Sequence, residues 1–482
     1  MKQFLAVLLL LAGARLPAAT YYVATNGSAA AAGTSNAPFA TPQQAVSVMV
    51  AGDTTFVHGG NYPLSSQIKP NVDGVATNYC RLWAFPGEKP VLDFATMPGS
   101  NKALDVRRDF WHAKGFEIVN APNSGIFVGG LSNVIEGCAV HDCGFDGVVL
   151  GSSSVRATNA LILNCDSYRN YPPGTDGNNG DGFAGKIGCG PGNVFRGCRA
   201  WNNCDDGWDF YDTAAGAVVL ENCWAFSNGF NLWNYAGTWS GNGNGFKMGG
   251  EGTPAEHNLT NSVAFGNRSK GFDHNNGAAG QTMVNCTSSG NGAANFSFYE
   301  TPTKGTRLYN LLINCASFGG GLLYNLDPTT VQISNSWQLV TVIAADFASL
   351  DTSAATNARN ADFSLPVTPL FRLSPGSQLI DRGTNVGLPF SGVRPDLGAF
   401  EFIPGGEQAA AAFDLKGCGM TEGGFRLKLD GLTSHGPVIL AYSTNLTNWT
   451  LLATNPATTG STTFLDAGIA ARPRSFYRAQ EQ

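Results

Sequence analysis

Short β-type runs punctuated by Gly and Pro turns fill most of the chain, as in TTFVHGG around His58 and RLWAFPGEKPVLDF ending at Phe94. From the middle of the sequence the pattern becomes a repeat. Five segments share Cys or Ser, any residue, Ser or Ala, two residues and then Asn: CDSYRN ending at Asn170, CRAWNN at Asn203, CWAFSN at Asn228, SVAFGN at Asn267 and CTSSGN at Asn291, with a looser copy, CASFGG, starting at Cys315. The terminal Asn residues are 33, 25, 39 and 24 positions apart. The shorter spacings suit one coil of a β-solenoid, and the longer ones a coil with a loop bulging from it. Stacked coils lie about 4.8 Å apart, so equivalent positions form columns along the axis. The pattern therefore predicts an all-β chain, a β-solenoid over 20–404. Gly137-Cys138 and Asp146-Gly147 mark a further coil, and 366–402 is expected to close the solenoid. GGEQAAAA at 405–412 breaks the composition as a linker, and 413–482, with runs such as FRLKLDGL and VILAYS, predicts a small accessory β-sandwich.

The repeat disposes of several tempting residues. Cys165, Cys198, Cys223 and Cys286 recur in register and are expected to fill an interior stack as small apolar groups, and the Asn column to satisfy turn backbone. The eleven cysteines do not form the framework of a small disulfide scaffold, because the chain of 482 residues is far too large to need one. Neither CxxC nor HExxH occurs, so zinc has no support. With 13% charged residues and a net charge of -6, nothing points to nucleic acid. At the start, Lys2 precedes an apolar run from Phe4 to Leu11 and small residues ending at Ala19, which predicts a signal peptide over 1–19 and a secreted, periplasmic or surface protein. No later stretch is long and apolar enough to span a membrane.

A second shared element, Gly followed by an aromatic, carries the chemistry: Gly182-Phe183, Gly207-Trp208, Gly245-Phe246 and Gly271-Phe272. The residue before each Gly is Asp181, Asp206, Asn244 or Lys270, and the residue after each aromatic is Ala184, Asp209, Lys247 or Asp273. Stacking sets Asp181 below Asp206 and Lys247 above Asp209, with Asp205 adding another carboxylate. Carboxylates gathered on one side of a solenoid repel unless a cation sits among them, and calcium accepts oxygen ligands from flexible geometry. The competing reading is a set of solvated turn aspartates. Lys247 is either an ordinary surface charge or a base whose ammonium form is disfavoured beside a dication.

The runs NGDGFAGK, GPGNVFRGCRAWNNCDDGWDFY, ENCWAFSNGFN, GNGNGFKMGG and NSVAFGNRSKGFDHNN closely resemble polysaccharide lyase family nine, the pectate lyases and relatives. The resemblance covers at least Asn179 to Asn276. It implies a right-handed parallel β-helix in which calcium is held by Asp181, Asp205, Asp206 and Asp209, and in which Lys247, rather than Lys186 or Lys270, is the base of a β-elimination. The expected substrate is an acidic polysaccharide, pectate or rhamnogalacturonan, met by a monomer. Lys270, Arg268 and His274 in the following coil are candidate contacts to neighbouring carboxylates. Three rivals remain: a hydrolase using paired carboxylates, a rhamnogalacturonan lyase with the same site, and a noncatalytic glycan-binding or adhesion solenoid.

Overall fold

A computed structural model describes residues 18–404 except 214–215, and 414–481 except 434–437, 445–448, 457–458 and 473–474. Most of the expected signal peptide and the whole of the expected linker lie outside the described residues. The chain divides into two compact units, Met1–Phe402 and Ile403–Gln482.

The first unit is a right-handed parallel β-helix. Three long sheets form its walls: twelve strands from Thr20–Val23 to Val331–Ile333, ten from Gly60–Pro63 to Ala316–Phe318, and nine from Leu104–Val106 to Leu322–Leu326. Strands of two to five residues suffice because they are paired in parallel above and below, as where Phe195 pairs with Ile162 on one side and Leu220 on the other. Alternate side chains point inward. The interior is accordingly a set of columns, and one of them is aromatic: Phe183, Trp208, Phe246, Phe272 and Phe296 stack with ring centroids 4.7, 4.7, 4.9 and 5.1 Å apart. A short helix, Pro42–Val48, opens with a capping box between Thr41 and Gln44 and buries Ala45 and Val46 in the same core.

The repeated hexads each carry a strand of the ten-stranded sheet, from Asp166–Tyr168 to Thr287–Ser289, with the Asn in the turn beyond it. Cys138, Cys165, Cys198, Cys223, Cys286 and Cys315 are buried, and Ser262 takes their place in the coil that lacks a cysteine. Ten cysteines among the described residues, Cys189 and Cys204 included, are free thiols. Asn170, Asn203, Asn228, Asn267 and Asn291 form an unbroken ladder. The Asn203 Oδ1 accepts both the backbone N–H and the side-chain amide of Asn170, at 3.2 and 2.9 Å, and the same pair of bonds recurs at each later rung.

The segment after the last coil does not close an end, as the sequence suggested; it runs back along the outside of the ten-stranded sheet. Trp201, Trp224, Phe226, Val263 and Phe265 point outward from that sheet, and Phe347, Leu370, Phe371, Leu379 and Leu397 cover them. Burial of these rings, worth about 1.5–3 kcal/mol each, explains the path. Arg359 of this strap joins Arg199 on the buried Asp166, at 2.7 Å from each guanidinium.

The second unit pairs two antiparallel three-stranded sheets. Gly424–Thr433 lies between Asp414–Thr421 and Thr459–Asp466, and Val438–Ser443 between Thr450–Asn455 and Phe476–Glu481. Leu427, Leu429 and Phe464 from one sheet meet Val438 and Leu440 from the other.

Candidate active site

Four consecutive strands of the nine-stranded sheet build the site. Phe183, Trp208, Phe246 and Phe272 are in register, so Ala184, Asp209, Lys247 and Asp273 are too. Because the rings point inward, the residues that follow them point out of the helix. The preceding glycines allow the coils to close up: a side-chain carbon at Gly207 would lie 2.5 Å from the Gly245 carbonyl oxygen.

The column before those glycines is a second ladder. Asp146 Oδ1 accepts the Asp181 N–H at 3.0 Å, Asp181 Oδ1 the Asp206 N–H at 2.9 Å, Asp206 Oδ1 the Asn244 N–H at 2.7 Å, and Asn244 Oδ1 the Lys270 N–H at 3.3 Å. Asp146, Asp181 and Asp206 thus each spend one oxygen on the next coil, and the second oxygen is available to other partners, as where Asp181 Oδ2 accepts from Lys186. Carboxylate oxygens of Asp181, Asp206 and Asp209, all buried, lie within 4.8 Å of one another.

Two amines face this cluster. Lys186 Nζ sits 2.7 Å from Asp181 Oδ2 and 3.1 Å from Asp209 Oδ2. Lys247 Nζ donates to Asn242 Oδ1 at 3.0 Å and to Asp209 Oδ2 at 3.3 Å, with the Tyr211 ring 5.5 Å away. Asp206 Oδ2 is buried without a hydrogen bond; Lys247 Nζ approaches it to 3.3 Å without forming one. An orphaned carboxylate oxygen inside an all-oxygen acidic cluster suits a hard cation, which needs oxygen donors and supplies the missing charge.

Asp205 stands apart from the triad. Its Oδ2 accepts the Asn179 N–H and its Oδ1 the Asn242 N–H, so both oxygens are engaged by backbone. Burial and then the neighbouring Asp181 push its carboxyl up to about 7. Burial and then Asp205 likewise drive Asp206 well above the carboxylate range. Burial also acts on Asp209, but Lys186 and Lys247 outweigh it and hold that carboxyl low. Burial disfavours the Lys247 ammonium, yet Asp206, Asp209, Asp181 and Asp205 together reverse this and raise its pKa. Lys247 is therefore an ammonium while those charges are uncompensated, and a dication among them removes the reason.

Of the residues expected on the next coil, Arg268 is exposed, with Nη1 donating to the Gly241 carbonyl at 2.6 Å. Lys270 pairs with Asp273 at 3.0 Å beside the Tyr299 ring. His274 is fully buried, its Nε2 against the Ala279 carbonyl at 3.1 Å, and has no surface with which to meet a sugar. Asp146, Lys186, Asn242 and Tyr211 belong to the site without having been singled out for it from the sequence. Asp146 had a legible signal, the Asp-Gly pair that it shares with Asp181 and Asp206, but Val148 replaces the aromatic two positions on.

A right-handed parallel β-helix with a buried acidic cluster beside a lysine on one wall defines a class, the β-helical polysaccharide lyases, and comparison with known proteins agrees. Residues 21–318 match the family described as Pel9A-like, right handed beta helix region. The chain belongs to this family, polysaccharide lyase family nine. It is 40% identical to pectate lyase L of Dickeya chrysanthemi over 397 residues, which is 79% of this chain and 90% of that protein. The solved structure of pectate lyase Pel9A matches at 38% identity with a TM-score of 0.73, covering 80% of this chain and 96% of the other. A rhamnogalacturonan lyase structure matches at 28% identity with a TM-score of 0.66, covering 75% and 97%. The protein is a polysaccharide lyase.

Proposed function

We propose that this protein is a secreted, calcium-dependent lyase that cleaves pectate by β-elimination with Lys247 as the base. The observation that carries the reading is the buried Asp206 Oδ2, which has no hydrogen bond and lies 3.3 Å from the Lys247 amine. Asp181, Asp206 and Asp209 would hold the ion through their converging oxygens, with Asp205 adding charge beside them. Bound there, calcium would pair with the uronate carboxylate and acidify the adjacent ring proton. Lys247 Nζ takes that proton, the electron pair of the C–H bond becomes the ring double bond, and the glycosidic oxygen leaves carbon 4 with the C–O pair and is protonated. No water is consumed. Arg268 and Lys270 would meet carboxylates of neighbouring sugars, Lys270 exchanging its Asp273 partner for substrate.

Export rests on the apolar N-terminal run and on the similarity to pectate lyases; no helix among the described residues is long and apolar enough to cross a membrane. A second reading, rhamnogalacturonan lyase, keeps the same residues and is supported by the likeness to that lyase along 97% of its length. Incubation with polygalacturonate or with rhamnogalacturonan, in calcium or in chelator, separates the readings through ultraviolet absorbance of the unsaturated product. A calcium-dependent rise on polygalacturonate is expected. A rise on rhamnogalacturonan alone selects the second reading, and reducing ends without absorbance would indicate hydrolysis and defeat both.

A further inference from the structure

We infer that Asn242 is a positioning residue that aims the Lys247 amine at the sugar. The inference rests on the assignment of Lys247 as the base.

A neutral amine has two N–H groups and one lone pair at tetrahedral angles, so fixing both N–H groups fixes the lone pair. Lys247 has two hydrogen-bond acceptors, Asp209 Oδ2 at 3.3 Å and Asn242 Oδ1 at 3.0 Å. Asp209 alone would leave the amine free to turn about one bond. The second acceptor removes that freedom, and an amide oxygen does so without adding the charge that would keep the lysine protonated.

The way Asn242 is held sets it apart from an ordinary surface asparagine. The residue is exposed, yet three backbone groups around it are fastened. Its own N–H donates to Asp205 Oδ1; the preceding carbonyl, that of Gly241, accepts from Arg268 Nη1 at 2.6 Å; the following one, that of Gly243, accepts from the Ser269 N–H at 2.8 Å. Gly241 has no room for a side chain, since a carbon there would lie 2.1 Å from the Cys204 carbonyl oxygen. Gly243 has a φ of +74°, which few other residues adopt. The loop that delivers Asn242 fills the longest gap in the Asn ladder, 39 residues, and is anchored by Trp239, whose Nε1 donates to the Gly229 carbonyl at 2.7 Å. An exposed polar group on so constrained a backbone is preorganised for a partner at the mouth of the site. Asp205 gains a role in the same arrangement: its Oδ1 fixes the backbone that presents the amide to the base.

The test compares Asn242→Ala and Asn242→Asp with Lys247→Ala, using polygalacturonate turnover, KM and calorimetric calcium titration. Asn242→Ala should lower kcat roughly 10- to 100-fold, the range for a misaimed catalytic group, while KM and calcium affinity stay within about twofold. Asn242→Asp keeps an oxygen acceptor in the same place and should therefore retain more of kcat than Asn242→Ala. Wild-type kcat in Asn242→Ala would overturn the inference, as would a parallel loss of calcium affinity, which would make Asn242 part of the acid cluster's scaffold. Activity retained by Lys247→Ala would instead remove the base assignment itself, a result distinct from either.

Discussion

The protein contains two polar ladders that climb the same solenoid, and they differ by one atom per rung. Along one turn, Asn170, Asn203, Asn228, Asn267 and Asn291 each accept through Oδ1 and donate through Nδ2, so every rung is satisfied by its neighbours and by backbone carbonyls such as that of Ala200. In the column before the glycines, Asp146, Asp181 and Asp206 also give Oδ1 to the backbone of the adjacent coil. Their second atom, however, is an oxygen where asparagine has a donor. The amide ladder closes on itself and serves the fold, whereas the carboxylate ladder is left with unmatched acceptors that call for cations: Lys186 at Asp181, Lys247 near Asp206, and by proposal calcium.

The largest effect should come from the residue that this imbalance serves. Lys247→Ala removes the base and should lower turnover about 10³-fold, within the usual range for general base catalysis, while calcium titration shows a bound ion as before. Turnover near that of the wild type would separate the carboxylate column from the chemistry.

Next in size is a break in the closed ladder. Asn228→Ala removes an oxygen that accepts two buried N–H groups and an amide that donates to Ala200 and Asn267. Stranding these partners should cost about 3 kcal/mol, read as a fall in the unfolding midpoint, with calcium affinity of the folded protein unchanged. A fall in calcium affinity would show that the two columns are not independent.

The sharpest test turns one ladder into the other. Asp206→Asn keeps the Oδ1 bond to Asn244 and replaces the orphaned oxygen by a donor, so the ion-free melting temperature should change little while calcium affinity drops about 100-fold, roughly 2.7 kcal/mol. Unaltered affinity would place the ion elsewhere.

How much of this was legible follows from the same geometry. Stacking forces like residues into register, so the Asn column, the Cys column and the Gly-aromatic element could be written down from the sequence, and with them the solenoid and the rungs at Asp181, Asp206, Asp209 and Lys247. Residues outside the repeat were not legible in this way. Asn242 arrives on an insertion whose path no period dictates, and Lys186 reaches back along its own coil to Asp181 and across to Asp209 on the next. The Asp205-Asp206 doublet shows a different limit: adjacency in sequence does not say which partners each carboxylate takes, and the oxygens of Asp205 are taken up by the N–H groups of Asn179 and Asn242. The outward rings from Trp201 to Phe265 hid a partner, because nothing in their periodicity says which later segment covers them.

The smallest effect separates the ladders by pH. Asparagine does not titrate, so the deficit of Asn228→Ala should be the same at pH 6 and pH 8. The acid cluster and the neighbouring Asp205 behave otherwise. Burial and then Asp181 push Asp205 up to about 7, so between pH 8 and pH 6 it takes up a proton that calcium must displace, and affinity should fall about tenfold. For the ion-free protein the sign reverses. An unfolded aspartate titrates near 4, so between there and 7 the folded chain binds the extra proton; this contribution favours the fold at lower pH and is lost as pH rises through 7. Asp209, held low by Lys186 and Lys247, contributes in the opposite sense, but its stabilisation is lost only as pH falls below the ordinary aspartate range, outside this window. In chelator the protein should therefore melt higher at pH 6 than at pH 8, and in saturating calcium the order should invert. A melting temperature that ignores pH in chelator would mean that the charges of the acid column are already neutralised by the two lysines, leaving calcium no electrostatic debt to relieve.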